Sequence, residues 1–217
     1  MKKEKGFFIT LEGGEGTGKS TQVAALAAFL EDKGLDVVVT REPGGTPEGE
    51  AIRNLFTQRT DDMEWSPMAE CLLMFAARSM HIEKTIKPAM NAGKVVICDR
   101  FTDSTRAYQG YGHGLDLSDI EIIRDISIQS FAPDLTFILD MPVEIGLARA
   151  KGRLADDGTG EDRFENMALD FHNRMRDGFL DIASKHRERC VVINAGRDID
   201  EISEELRDVA AERLGIA

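Results

Sequence analysis

Residues Phe7 to Thr21 read FFITLEGGEGTGKST. The short apolar run Phe7 to Leu11 reads as a buried strand, and it breaks abruptly into a glycine-rich loop. Within that loop Gly13 and Gly18 frame four residues, and Lys19 and Ser20 follow at once, which is the G-x-x-x-x-G-K-[ST] spacing of a phosphate-binding loop. The chemistry needs these residue types. Glycines let successive backbone N–H groups turn inward as a nest for anionic oxygens, a lysine at position 19 reaches β- and γ-phosphates, and the Ser20 hydroxyl suits Mg²⁺. Val23, Leu26, Ala27 and Leu30 then recur at helical spacing, so a helix N-terminus is aimed at the same anion. The strand before and the helix after distinguish this loop from a glycine-rich turn that matches the pattern by chance.

Outward from the loop, strand-like runs recur at Leu35 to Thr40, Lys94 to Cys98, Leu135 to Asp140 and Cys190 to Asn194, separated by helical patterns. This alternation predicts an α/β fold with a parallel sheet and helices on both faces. At 217 residues the chain suits one such domain, 1–217, large enough to bury a real core. Ser118 with Glu121, and Asp198 with Glu201, resemble capping boxes ahead of the apolar series Ile120, Ile123, Ile126 and Ile202, Leu206, Val209. The stretch Lys151 to Asp162, KGRLADDGTGED, is the most loop-like internal segment and the one candidate for a mobile lid.

Bulk properties narrow the function. No apolar run approaches the length of a membrane span, and MKKEKG is too short a leader for a signal peptide, so the expected location is cytoplasmic. Cys71, Cys98 and Cys190 are odd in number, widely spaced and in apolar surroundings, which suits reduced buried thiols. A net charge of −12 opposes binding to nucleic-acid backbones or anionic membranes. Small anionic ligands remain open to it wherever arginines and backbone amides converge.

Two further stretches supply such arginines. Arg41-Glu42-Pro43-Gly44-Gly45-Thr46 follows the second predicted strand, and ligands of open parallel sheets sit outside the carboxyl ends of the strands. The third predicted strand ends VVIC and is followed by Asp99 and Arg100. An acid at that place resembles the magnesium-orienting aspartate of phosphate-loop enzymes, and the arginine offers a phosphate fork. A buried structural ion pair is the competing reading. The continuation FTDSTRAYQG, Phe101 to Gly110, reads as a short helix with Ser104 and Tyr108 on one face.

Taken together, EGGEGTGKST, TREPGGT and DRFTDSTRAYQG resemble the thymidylate kinase family, over nearly the whole chain from Phe7 to about Asn194. The phosphate loop alone would name only a superfamily, whereas the other two segments are specific to this family. The resemblance implies a single-domain, three-layer phosphate-loop kinase fold with a five-stranded parallel sheet and a short lid at about 151–163. It implies transfer of the γ-phosphoryl of ATP to dTMP, with Mg²⁺, in a cytoplasmic homodimer. Gly13, Gly14, Glu15, Gly16, Thr17, Gly18, Lys19, Ser20 and Thr21 correspond to the ATP-binding loop, with Lys19 on the phosphates and Ser20 and Asp99 at the metal. Glu15 also corresponds to the residue on the acceptor sugar. Arg41 and Arg100 correspond to the arginines that approach the acceptor phosphate, Tyr108 to the tyrosine under the deoxyribose, and Ser104, Thr105 and Gln109 to residues near the base.

Base recognition in the family also involves the helix AECLLMFAAR, where a phenylalanine usually stands four residues before an arginine. Arg78 matches the arginine, but Met74 occupies the other position and Phe75 is shifted by one. Either the Met74 thioether covers the base or Phe75 rotates in, and the plain alternative is that Phe75 joins Met68 and Leu72 as helix core. Some members of the family place a catalytic arginine in the phosphate loop directly after its acidic residue. Others keep glycine there and supply the arginine from the lid. Gly16 follows Glu15 here, so Arg153 is the expected catalytic arginine, flanked by Arg149, implied to stack on adenine, and Arg163, implied to anchor the closed lid. Rival functions are a related kinase for another nucleotide or a nucleoside, and a nucleotide-dependent switch. The DRF and AYQG segment opposes the first, and the absence of an N-K-x-D segment opposes a guanine-nucleotide switch.

Overall fold

β1 (Phe7–Gly13) is the central strand of the sheet. It pairs in parallel with β3 (Val95–Asp99) on one side and β4 (Leu135–Asp140) on the other. β2 (Val37–Arg41) lies outside β3, and β5 (Cys190–Asn194) outside β4, giving the order β2-β3-β1-β4-β5 with every pairing parallel. The computed structural model from which this is read describes residues 6–57, 64–157 and 167–216, with no account of the side chains of Thr57 and of 153–157. The five strand-like runs of the sequence are these five strands. β2 begins two residues later than its apolar pattern, and β2 and β3 each run one residue further, to Arg41 and Asp99.

The period of two along the strands divides the core. Ile9 and Leu11 of β1, with Val95, Ile97, Leu135, Phe137 and Ile193, face α1 (Lys19–Asp32) and α9 (Ile199–Leu214), which contribute Val23, Leu26, Leu30, Ile202 and Leu206. On the opposite face Phe8, Val96 and Cys98 meet Phe75, Ile86, Phe101 and Ile120. These come from α3 (Pro67–His81), the π-helical turn Ile82–Ile86 that joins it to α4 (Lys87–Asn91), the strand-to-helix corner after β3, and α6 (Leu117–Ile128). Further along that face Ile138 of β4 meets Phe171, Met175 and Phe179 of α8 (Leu169–Lys185). Burying each such side chain is worth roughly 1.5–3 kcal/mol. This core holds the carboxyl ends of β1, β2 and β3 in fixed register, Leu11 opposite Asp99 and Asp99 opposite Arg41.

Local signals were right in most places and displaced in others. Asp198 caps α9 by accepting from Asp200 N. At α6 the cap is Asp116, which accepts from Ser118 N, while Glu121 pairs with Arg106 and Arg124 instead of closing a capping box. The segment expected to be loop from Lys151 is helical as far as Asp157, because α7 (Val143–Asp157) continues through it, and 158–166 lie outside the described residues. Phe75 is core as one reading expected, but its neighbours are Phe8, Cys71, Ile82 and Phe101. Leu72 is half exposed. All three cysteines are buried and free, and among the described residues no helix is long and apolar enough to cross a membrane.

Candidate active site

The phosphate loop is shaped by its own backbone. Gly18 lies at φ +86° as the residue before α1, and no side chain caps that helix, so its first-turn amides face the loop. Thr17 Oγ1 donates to Gly14 O at 3.0 Å and closes the turn from within. Lys19 folds back over the loop, with Nζ donating to Gly13 O at 3.1 Å and Gly14 O at 2.8 Å. Burial, helped by the nearby Arg100 guanidinium, brings its ammonium down to about 8. Ser20 Oγ donates to Asp99 Oδ2 at 3.3 Å across from the end of β3, and Asp99 Oδ1 is buried with no hydrogen-bond partner among the described residues. A buried acceptor lacking a donor beside a serine hydroxyl is a donor set that fits a hard cation.

The corner after β3 brings a second charge to the loop. Arg100 Nη2 donates to Glu15 Oε1 at 2.9 Å and Nη1 to Gly13 O at 3.1 Å, and its guanidinium lies 5.0 Å from the Tyr108 ring centre. Tyr108 stands on the helix that runs through α5 (Thr102–Thr105) and the π-helical turn Arg106–Gly112, and its hydroxyl donates to the same Glu15 oxygen at 2.6 Å. Burial alone would raise the Glu15 carboxyl. Arg100, Lys19 and the Tyr108 hydrogen bond outweigh it and hold Glu15 at about 2. Burial pushes the Tyr108 phenol well above its ordinary range, so it remains a donor.

A third group surrounds Arg78. Its Nε donates to Glu42 Oε2 at 2.7 Å, and its Nη2 donates to Phe101 O and Thr105 Oγ1. The guanidinium lies 4.7 Å from the Phe75 ring centre, and Nη1 is buried without a hydrogen-bond partner among the described residues. The other Glu42 oxygen meets His81 Nδ1 at 2.9 Å, and His81 Nε2 meets Thr40 Oγ1 at 2.7 Å. One buried carboxylate from the REPGG turn therefore orients the arginine from α3. Gln109 Nε2 is held by Glu70 Oε2.

A family model for thymidylate kinase matches residues 11–206. The chain belongs to the thymidylate kinase family. It is 50% identical to the thymidylate kinase of Caulobacter vibrioides over 212 residues, 98% of this chain and 99% of that one. To the thymidylate kinase of Trichlorobacter lovleyi it is 42% identical over 210 residues, 96% of this chain and 99% of the relative. The crystal structure of the thymidylate kinase from Ehrlichia chaffeensis superposes with a TM-score of 0.75 at 40% identity, covering 94% of this chain and 98% of that one.

Within this thymidylate kinase scaffold, Lys19, Ser20, Asp99, Glu15, Arg100, Ser104 and Tyr108 converge at the carboxyl ends of β1 and β3. Thr105, Gln109, Phe75 and Arg78 form the adjoining buried group. Arg41 stands in register with Asp99, but its guanidinium turns outward to Glu50 at 3.3 Å, and the side chain is 56% exposed. Met74 is half-buried and Phe75 only 2% exposed. Arg149 donates to Ala195 O just beyond β5. The side chain of Arg153 and all of Arg163 lie outside the described residues.

Glycine at position 16 has a steric cause. At φ +68° a Cβ there would lie 1.9 Å from Gly146 O, and a Cβ on Gly146 would lie 2.5 Å from Glu15 O. Loop and α7 thus touch backbone to backbone, which leaves no room for a side chain at position 16 and docks the helix of Arg149 and Arg153 against the loop.

Several functional partners were not singled out from the sequence. Glu42 is visible within REPGG, yet nothing local pairs it with Arg78, 36 residues away. Glu12 opens the EGGEGTGKST segment but the motif assigns it no role, and His81 carries no motif signal; a polar residue directly following or interrupting apolar positions is the signal that could have found them.

Proposed function

We infer that this chain is a thymidylate kinase that transfers the γ-phosphoryl of ATP to dTMP, giving dTDP and ADP. The observation that carries the reading is that Glu15, at the centre of the phosphate loop, accepts from both Arg100 and Tyr108. The loop that holds the donor phosphates is thereby bonded directly to the residues assigned to the acceptor. Lys19 and the loop amides take the β- and γ-phosphates. Arg100 takes the acceptor phosphate, with Arg41 swinging in from its exposed pair with Glu50. Tyr108 lies under the deoxyribose. Ser104, Thr105 and Gln109 line the approach to the base, and the orphan Nη1 of Arg78 offers a donor to a base carbonyl. Phe75 is committed to the core and to Arg78, so Met74 covers the base. Arg149, beside the turn after β5, packs on adenine.

Ser20 and Asp99 would hold Mg²⁺, which when bound neutralises charge between the β- and γ-phosphates. A phosphate oxygen of dTMP, already ionised near neutral pH, attacks the γ-phosphorus in line and needs no general base. Lys19, Arg100 and Arg153 stabilise charge on the equatorial oxygens. Closure of a lid at about 151–163 excludes water that would otherwise hydrolyse ATP.

The active form is a cytoplasmic homodimer. The exposed apolar side chains Leu72 of α3 and Ile122 and Ile126 of α6 stand on two helices packed together, which supports a shared face there, whereas Ile120 and Ile128 are core. The deciding experiment is a coupled assay for ADP with ATP, Mg²⁺ and dTMP, dUMP, dCMP or AMP. Preferential turnover of dTMP is expected. Failure to turn over dTMP under conditions that support another acceptor would overturn the assignment.

A further inference from the structure

Arg100 is a non-glycine residue in the left-handed region, at φ +69°. Such a conformation is strained for a residue with a side chain and persists only where surrounding bonds enforce it. Three sets of bonds do so. Arg100 N donates to Leu11 O at 2.9 Å, extending the β1–β3 ladder one residue past Asp99. Beyond the turn, Phe101 N donates to Glu12 Oε1 at 2.8 Å. One helical turn further on, Ser104 Oγ donates to Glu12 Oε2 at 2.6 Å while accepting from Arg100 Nη1 at 3.4 Å.

Glu12 itself projects from β1 with no exposed surface. Both of its oxygens are used, Oε1 by Phe101 N directly after the strained corner and Oε2 by Ser104 Oγ one helical turn further on. Burying a carboxylate is costly unless it is fully bonded. Burial and the neighbouring Asp103 carboxylate push its carboxyl up to about 7, against the bonds from Ser104 and Phe101 and the field of Arg100. The cost is tolerated because the same carboxylate clamps the corner.

We propose that Glu12 is a positioning residue for the phosphoryl transfer: its carboxylate holds the Arg100 corner in the left-handed conformation and, through the Ser104 hydroxyl, aims the Arg100 guanidinium at the phosphate loop. It does not touch either substrate. This rests on the proposed role of Arg100 at the acceptor phosphate. Removing the clamp lets the backbone at Arg100 relax and displaces its guanidinium, and a misplacement of about 1 Å costs on the order of 10²-fold in rate. The consequence falls mainly on the acceptor, because Lys19 keeps its own bonds to Gly13 O and Gly14 O from α1, although Arg100 Nη1 shares Gly13 O.

The test compares wild type with Glu12→Ala, Glu12→Gln and Ser104→Ala. Calorimetric binding of dTMP and of a non-hydrolysable ATP analogue, thermal melting and steady-state kinetics are measured for each. Glu12→Ala is expected to weaken dTMP by about tenfold and lower kcat by up to about 10²-fold, the scale for a misplaced catalytic group, with the ATP analogue within about twofold. Glu12→Gln keeps an acceptor for Phe101 N and is expected to recover most of the loss, and Ser104→Ala to reproduce part of it. Should Glu12→Ala fail to fold, Glu12→Asp, whose shorter side chain cannot keep both the Phe101 N and Ser104 Oγ bonds, takes its place and is read by the same outcomes, because Ser104 also stands on the approach to the base and Ser104→Ala alone does not separate the two roles. Equal weakening of both ligands, or unchanged dTMP binding and kcat in a folded Glu12→Ala or Ser104→Ala protein, would overturn the proposal. Lack of dTMP turnover in the wild type would instead overturn the functional reading.

Discussion

Tyr108 Oη donates to Glu15 Oε1 at 2.6 Å, across 93 positions of sequence, and Arg100 Nη2 donates to the same oxygen. One carboxylate oxygen therefore joins the phosphate loop, the corner after β3 and the helix that follows it. A charge-assisted bond of this type is worth about 1.5–3 kcal/mol. Tyr108→Phe is expected to lower stability by an amount of that order in urea unfolding. KM for dTMP should rise severalfold while KM for ATP stays close to wild type. Equal shifts in both KM values would place the phenol in general loop stability instead of acceptor binding.

Glu15 also links stability to pH. Its carboxyl titrates at about 2 in the folded chain, below its ordinary value of 4.5. The stabilisation it contributes is therefore fully present above about pH 4.5 and is lost as pH falls toward 2. Melting temperatures of wild type and Glu15→Gln should be well separated at pH 6 and converge on acidification through that window. A separation independent of pH would show that the carboxylate charge is not what stabilises the loop.

Met74 and Phe75 should separate binding from folding. Phe75 is core, so Phe75→Ala is expected to cost about 3–5 kcal/mol in unfolding free energy. Met74 is half-buried, so Met74→Ala should cost little stability yet raise KM for dTMP. An unmoved KM would remove Met74 from the base site.

Gly16 and Gly18 offer a controlled comparison. Both have positive φ, but an added Cβ at Gly18 meets nothing within 4 Å, whereas at Gly16 it would strike the Gly146 carbonyl. Gly18→Ala should carry only backbone strain, about 1–2 kcal/mol. Gly16→Ala should lower the melting temperature distinctly further, since α7 must move. Equal losses would mean that the loop, not the helix, yields.

Arg153→Ala tests the lid. Arginines that stabilise a transferring phosphoryl are worth roughly 10³–10⁵ in rate, so kcat should fall by orders of magnitude with ATP binding nearly unchanged. A near-normal kcat would move the role to Arg163 or Arg149.

The phosphate loop and the sheet were legible because their signals are local. Glycine spacing specifies the loop, apolar runs specify five strands, and the spacing of Val23, Leu26, Ala27 and Leu30 selected the buried face of α1. The capping reading at α6 missed by two residues because Asp116, Ser118 and Glu121 are all competent polar groups there, and which one caps depends on Arg106 drawing Glu121 away. Phe75 could not be sorted between base and core from spacing, since residues three and four before Arg78 share its helical face. Its burial against Phe8 and Phe101 comes from other elements.

By itself, then, the sequence determined the phosphate loop, the parallel α/β architecture and the family, through patterns read over a few neighbouring residues. Only the tertiary structure decided which carboxylates serve which arginines: Glu42 for Arg78, Glu15 and the Glu12 clamp for Arg100. It also decided why position 16 must be glycine, because the carbonyl that forbids a side chain there belongs to Gly146. The physical reason is distance along the chain. Propensity and periodicity act over one or two turns, whereas these pairings join residues tens of positions apart. They exist only once the packed sheet has set β1, β3 and their helices in register.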